Sequence, residues 1–207
     1  MANVLAVVAH PDDEVLGCGG TLWKHHENGD LVVFHFMTNR DMKDQISSAW
    51  PGCTFGEDIP NPPDQQFDIL TLNYFTQRIE QVGIDPDIIY THWPHDLNLD
   101  HAITARAVLT VFRPKPNTKP RKILAFETLS STEWSHGYNT FSPNYYVPLT
   151  EDQIVKKLKS MFCYKHEIKD FPHPRSEGGI LARAHVRGIE CGHSYAEAFY
   201  LVRCVEG

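Results

Sequence analysis

The chain has 207 residues, enough for one hydrophobic core, and its 42% apolar content is ordinary for a globular protein. Nineteen basic residues stand against 26 acidic ones, a formal charge of −7 without any run of Lys or Arg, which argues against a nucleic-acid groove or an anionic membrane surface as the main partner. No apolar stretch is long enough to span a bilayer, and the five cysteines show no C-x-x-C spacing, against both a disulfide framework and a Cys-based zinc site.

In chain order, Val4 to Ala9 is a continuous apolar run, as a strand buried on both faces requires. The start of the chain resembles a signal peptide but lacks a basic leader and runs directly into His10 and three acids, so the expectation is a cytoplasmic protein. Gly17 to Asn28 reads as a helix closed by Asn28-Gly29, and Leu31 to Met37 as a second strand. Strand, helix and strand in so few residues predict a βαβ unit and a parallel sheet. Arg40 to Gln66, rich in Pro, Gly and Asp, reads as a long surface loop. Helical spacing follows over Phe67 to Gly83, then a short strand from Asp87 to Tyr90 and a helix from Ala102 to Phe112 stopped by Arg113-Pro114. Lys122 to Glu127 is the fourth strand. Glu151 to Tyr164 and Ser176 to Cys191 are amphipathic helices, and Phe199 to Val205 is a closing strand. No repeat or composition shift marks a second domain, so residues 1–207 are expected to form one.

Two clusters carry the chemistry. His10-Pro11-Asp12-Asp13-Glu14 lies between the first strand and the first helix, where ligands bind in open α/β sheets. Three acids beside an apolar core call for positive charge. A helix N-terminus gives a little and a divalent cation gives more. His10 and Asp13 suit zinc, and Asp12, next to the metal, would be free to act as a base. Plain helix capping by Asp12 or Asp13 is an equally good account of this cluster taken alone. The second cluster, His92-Trp93-Pro94-His95-Asp96-Leu97-Asn98-Leu99-Asp100-His101, also follows a strand. In a parallel sheet it would reach the same edge, with His101 as third ligand and Asp100 orienting a neighbour. Two His and one Asp with an open position make a catalytic metal site. His92 and His95, taken singly, are better read as hydrogen-bonded structural residues.

Together these clusters resemble the LmbE-like, or PIG-L, family of zinc deacetylases. Ala9 to Glu14 reproduces the motif A-H-P-D-D-E, and Asp96 to His101 fits a D-L-N-x-D-H form of the second motif. The likeness extends through Phe67-Asp68, Phe126-Glu127, Ser130 to Trp134, Pro172 to Ser176, Arg187-Gly188 and Ala196 to Phe199. It implies a Rossmann-like, three-layer α/β/α fold with a mostly parallel central sheet. It also implies zinc on His10, Asp13 and His101, with Asp12 as base. Fe2+ or another divalent ion is the alternative metal. Where many members carry a histidine, this chain has Asn98, which can donate to an oxyanion but cannot deliver a proton.

The expected reaction is hydrolysis of a linear N-acyl amide on an amino sugar, acetyl being the acyl group of choice. In it Asp12, Asn98 and Asp100 serve catalysis, and the substrate contacts are Arg40, His95, Trp134, His173, Arg175 and Arg187. An Arg can hold a phosphate bidentately, which suggests a nucleotide- or phosphate-linked sugar; pairing of Arg175 and Arg187 with nearby acids is the competing reading. The rival functions are a deformylase or other N-acyl hydrolase, a catalytically silent sugar- or nucleotide-binding module, and a non-haem iron oxygenase. The last is disfavoured because its H-x-D motif follows strand alternation, unlike H-x-x-D at a strand-to-helix turn. A homo-oligomer is left open.

Overall fold

The computed structural model describes residues 1–38, 42–51, 53–55, 62, 65–116, 122–137 and 139–205. Its centre is a seven-stranded sheet in the order β3-β2-β1-β4-β5-β7-β6. The strands are β1 (Asn3–Val8), β2 (Leu31–Phe36), β3 (Thr54–Phe55), β4 (Ile88–His92), β5 (Lys122–Phe126), β6 (Tyr145–Pro148) and β7 (Ala196–Cys204). The first five in spatial order are parallel, and β7 and β6 add an antiparallel edge. The unbroken apolar run of the first strand has a simple cause. Val4, Ala6 and Val8 face one helical layer while Leu5, Val7 and Ala9 face the other.

One layer holds α1 (Asp13–Glu27), α2 (Lys43–Ala49), α5 (Glu151–Cys163) and α6 (Glu177–Cys191), contributing Leu16, Ile46, Leu158 and Ile180 to its core. The other holds α3 (Leu72–Glu80) and α4 (Leu99–Val111), contributing Phe75, Ile79, Ala107 and Val108. This is the expected three-layer α/β/α arrangement. β1 pairs with β2 on one side and β4 on the other, so the strand order reverses between β1 and β4. Both sequence clusters leave the sheet at that switch point, where a crevice opens outside the carboxyl ends of the strands.

Several boundaries differ from the sequence reading. The helices after β1 and β4 begin about a turn earlier than their apolar spacing suggests, because the site residues themselves form the first turns. The segment read as a loop from Arg40 to Gln66 contains α2 and β3, both too short to show periodicity. The single helix expected over 67–83 is a 3-10 turn, Phe67–Ile69, followed by α3 with Thr71 as its N-cap. β6 was not anticipated: it is a four-residue edge strand, half-buried along its length and ending on Pro148, and so shows no alternation.

α1 is broken at Cys18, whose φ of −143° and ψ of 18° are not helical. Two buried charges mend the break. Glu197 of β7 accepts the freed N–H groups of Gly20 and Thr21 at 2.9 and 2.7 Å. Lys157 of α5 donates to the Leu16 carbonyl at 3.0 Å and pairs with Glu197 at 2.6 Å. The broken segment lies so close to the sheet that a Cβ on Gly17 would sit 2.1 Å from the Phe126 ring.

Candidate active site

The turn after β1 bends sharply at Asp12, whose φ is 107°. This sends the Asp12 and Asp13 side chains in different directions. Asp13, fully buried, turns back so that its Oδ2 accepts the His10 backbone N–H at 2.9 Å. The same oxygen lies 3.2 Å from His10 Nδ1 and 3.3 Å from His101 Nε2. One donor atom from each of His10, Asp13 and His101 can be chosen so that all fall within 4.8 Å of one another. Asp13 Oδ1 and His101 Nε2 are buried without a hydrogen-bond partner among the described residues. Orphaned donor atoms of these types, converging in a buried pocket, fit a divalent metal of the zinc class.

Each imidazole is held from behind by a carboxylate. Asp100 Oδ2 lies 3.1 Å from His10 Nε2, and Asp96 Oδ1 lies 3.0 Å from His101 Nδ1. Such carboxylate–histidine pairs fix the tautomer and aim the other nitrogen at a metal. Asp100 also accepts the backbone N–H groups of Gln65 and Phe67. Asp96 is bound by the hydroxyls of Ser131 and Thr132 and by the Asn98 N–H. The sequence reading missed Asp96 as an orienting group. Its signal was an acid five residues before the candidate ligand, too far apart for a local argument. His92 is buried and stacks on His101 at 4.0 Å, but its Nε2 accepts the Ala9 N–H at 3.0 Å. That nitrogen already has its proton donor, so His92 is a structural partner, as its single-residue reading held.

The electrostatics ask for a cation. Although burial opposes it, Asp13 is held well below the usual carboxylate range by the nearby His101 and His92. Burial likewise acts to lower His10 and His101. Asp100 and Asp13 around His10, and Asp13 and Asp96 around His101, outweigh it and raise both to about 9. Asp12 is pushed well above its ordinary value by burial and by the Asp13 charge, with Arg175 opposing. Arg175 Nη1 donates to Asp12 Oδ2 at 2.8 Å and to Glu167 at 3.0 Å, and its Nε donates to Ser130 at 2.7 Å.

A family model described as PIG-L, GlcNAc-PI de-N-acetylase, matches residues 5–61, the stretch that carries His10, Asp12 and Asp13. The match spans β1, α1 and β2, the part of the chain from which the first sequence cluster is built. The fold recurs along nearly the whole chain in solved structures. N,N'-diacetylchitobiose deacetylase from Pyrococcus horikoshii has a TM-score of 0.71 at 19% identity, covering 97% of this chain and 84% of that one. The zinc-inhibited form of teicoplanin deacetylase Orf2 has 0.69 at 14%, covering 99% and 100%. GalB, the 4-carboxy-2-hydroxymuconate hydratase of Pseudomonas putida KT2440, has 0.64 at 17%, covering 100% and 99%. No curated protein matches the chain in sequence.

An open cleft of about 460 Å³ is lined by Gln65, Asp68, Leu97, Asn98, Leu99, Asp100, Ser130, Ser131, Trp134 and Arg175. Of the expected substrate contacts, Trp134 and Arg175 are on its wall. His173 stands behind Arg175, whose backbone N–H its Nδ1 accepts at 3.1 Å, and its ring lies 6.2 Å from that of Trp134. Arg187 is buried away from the cleft wall, forked onto Glu127 at 2.7 and 2.8 Å and paired with Glu190. The imidazole of His95 is exposed and packs on Trp93 rather than lining the cleft. Arg40 lies outside the described residues. Asn98 is the N-cap of α4, its side-chain oxygen accepting the Asp100 N–H at 2.9 Å.

Proposed function

We propose that the chain is a metal-dependent hydrolase that removes an N-acyl group, acetyl in the first instance, from an amino sugar or amino-sugar conjugate. The deacetylase neighbours support this reading, but a hydratase shares the fold, so the site must carry the argument. The observation that carries it is the pairing of a two-His, one-Asp donor set with a separate carboxylate, Asp12, which is bonded instead to Arg175 on the wall of the open cleft.

His10, Asp13 and His101 would hold a zinc ion, which when bound supplies the Lewis acidity to activate water near neutral pH. Asp12 accepts the proton of the attacking water, and Arg175 steadies its carboxylate through the 2.8 Å hydrogen bond. The Asn98 amide oxygen is committed to the helix cap, which leaves its Nδ2–H group to donate to the oxyanion that forms. Asp12 then returns the proton to the departing amine, giving a free amine and a carboxylic acid. Trp134, 45% exposed on the cleft wall, offers a flat apolar face for a sugar ring. Arg175 is already matched by Asp12 and Glu167, so it supports recognition of a substrate phosphate only weakly.

The test is amine release from a panel of N-acetylated and N-formylated sugars and sugar nucleotides, with metal-loaded and chelated protein. Metal-dependent release is expected, and Asp12→Asn should keep its metal while losing on the order of a hundredfold or more in kcat. Turnover of Asp12→Asn at the wild-type rate would remove Asp12 as the base.

A further inference from the structure

Among the described residues, the non-glycine residues with positive φ are Asp12 at 107°, Gln65 at 56° and Ser130 at 68°. Gln65 and Ser130 line the cleft, and Asp12, behind that wall, is bonded to its Arg175. A left-handed backbone is costly for residues with a Cβ and persists only where the surroundings hold it. The same device holds each one. Its backbone N–H donates to a carboxylate: Asp12 to Glu14 at 3.0 Å, Gln65 to Asp100 at 2.7 Å, and Ser130 to Glu133 at 2.7 Å.

The clamp on Asp12 lies wholly inside the protein. Glu14 is fully buried in the first turn of α1. Its Oε2 takes the Asp12 N–H, while its Oε1 takes the Trp50 indole N–H at 2.9 Å and the Tyr164 hydroxyl at 2.7 Å. Trp50 and Tyr164 end α2 and α5, so the clamp is anchored in the helical layer. Neither side chain is part of the cleft wall.

We propose that Glu14 is a positioning residue, whose grip on the Asp12 N–H fixes the left-handed turn that aims the Asp12 carboxylate at Arg175 and the cleft while Asp13 turns inward. The proposal rests on the function above for its catalytic consequence but on geometry for the positioning itself. Three donors converge on the two Glu14 oxygens, so a carboxylate is required. A glutamine places an amide N–H against one of those donors.

The experiment is Glu14→Gln and, separately, Tyr164→Phe in the full chain. It reads kcat and KM on the best N-acyl substrate, bound metal per chain, and the Asp12 backbone in crystal structures. Glu14→Gln is expected to lower kcat at least tenfold with KM and metal content within twofold of wild type, and to move Asp12 out of the left-handed region. Tyr164→Phe, which removes one donor from the far side of Glu14, should give a smaller loss of kcat in the same direction. Either variant retaining wild-type kcat with an unmoved Asp12 would overturn the assignment, as would a loss of kcat with Asp12 still at its wild-type φ. Should Glu14→Gln fail to fold, Tyr164→Phe decides by the same readings. Wild-type protein that hydrolyses none of the amides would defeat the proposed function, while the crystallographic reading would still decide for or against Glu14.

Discussion

At Asn98 one side chain has two tasks that substitution can separate. Its oxygen caps α4, so Asn98→Ala should cost about 1 kcal/mol of stability. Asn98→Asp keeps a capping oxygen but loses the amide donor. The melting temperature should then stay near wild type while kcat falls, if the Nδ2–H group meets the oxyanion. Equal activity in Asn98→Asp and wild type would reduce Asn98 to a cap. A histidine at this position would lose the cap oxygen, so Asn98→His is not a neutral replacement in this chain. The D-L-N-x-D-H run thus works as a unit, with Asp96 holding His101, Asn98 starting the helix and Asp100 holding His10.

At the level of elements, the proposed metal donors His10 and Asp13 depend on where α1 begins, and α1 is held by its repaired break. Lys157 and Glu197 are both buried, and each satisfies backbone groups the break sets free. Lys157→Met leaves the Glu197 carboxylate without its buried partner. We expect a loss of about 3–5 kcal/mol in denaturant unfolding, the range for breaking a buried pair from one side. The double variant Lys157→Met, Glu197→Gln should recover part of that loss. If the single variant lost less than 1 kcal/mol, the pair would not be what mends the helix. Gly17 makes the same point sterically, since any Cβ there meets the Phe126 ring of β5.

For the whole molecule, stability should respond to metal and to pH for separate reasons. An ion that binds the folded donor set stabilises it by mass action, by about 2.7 kcal/mol when its free concentration is a hundred times the dissociation constant. Adding zinc to stripped protein should therefore raise the melting temperature, and His101→Ala should abolish the rise. An equal rise in that variant would place the binding elsewhere. His35 lies buried in β2, far from any need for charge. Burial, helped by the nearby Arg78 charge, lowers its pKa to about 3 from an ordinary 6.5. The unfolded chain takes up a proton as pH falls below 6.5 and the folded chain does not, so this histidine removes stability progressively from pH 6.5 down towards 3. The limiting slope is about 1.4 kcal/mol per pH unit. His35→Leu should have a flatter stability profile than wild type between pH 6 and 4. Parallel profiles would show that His35 is not the source.

Much of this was legible in the sequence because it is local. Val4 to Ala9 reads as a strand with two covered faces, which puts His10 to Glu14, directly after it, at the strand's carboxyl end. The same holds for Asp100-His101 after β4, and a parallel sheet then places both clusters on one edge. The gathering of His10, Asp13 and His101 follows from that logic, while the proposed roles of these residues and of Asp12 lean on the resemblance as well. What the sequence left open depends on contacts distant along the chain. Asp96 binds Ser131 and Thr132, Asp12 meets Arg175, and Glu14 is gripped by Tyr164 from 150 residues away. Spacing also failed to separate a cleft-wall arginine from one locked to Glu127 and Glu190, because Arg175 and Arg187 are alike until the carboxylates around them are placed. Local chemistry at the ends of two strands determined which residues gather at the site. Only the tertiary structure decided how each is held, because orientation is set by partners that the fold brings together and the sequence does not.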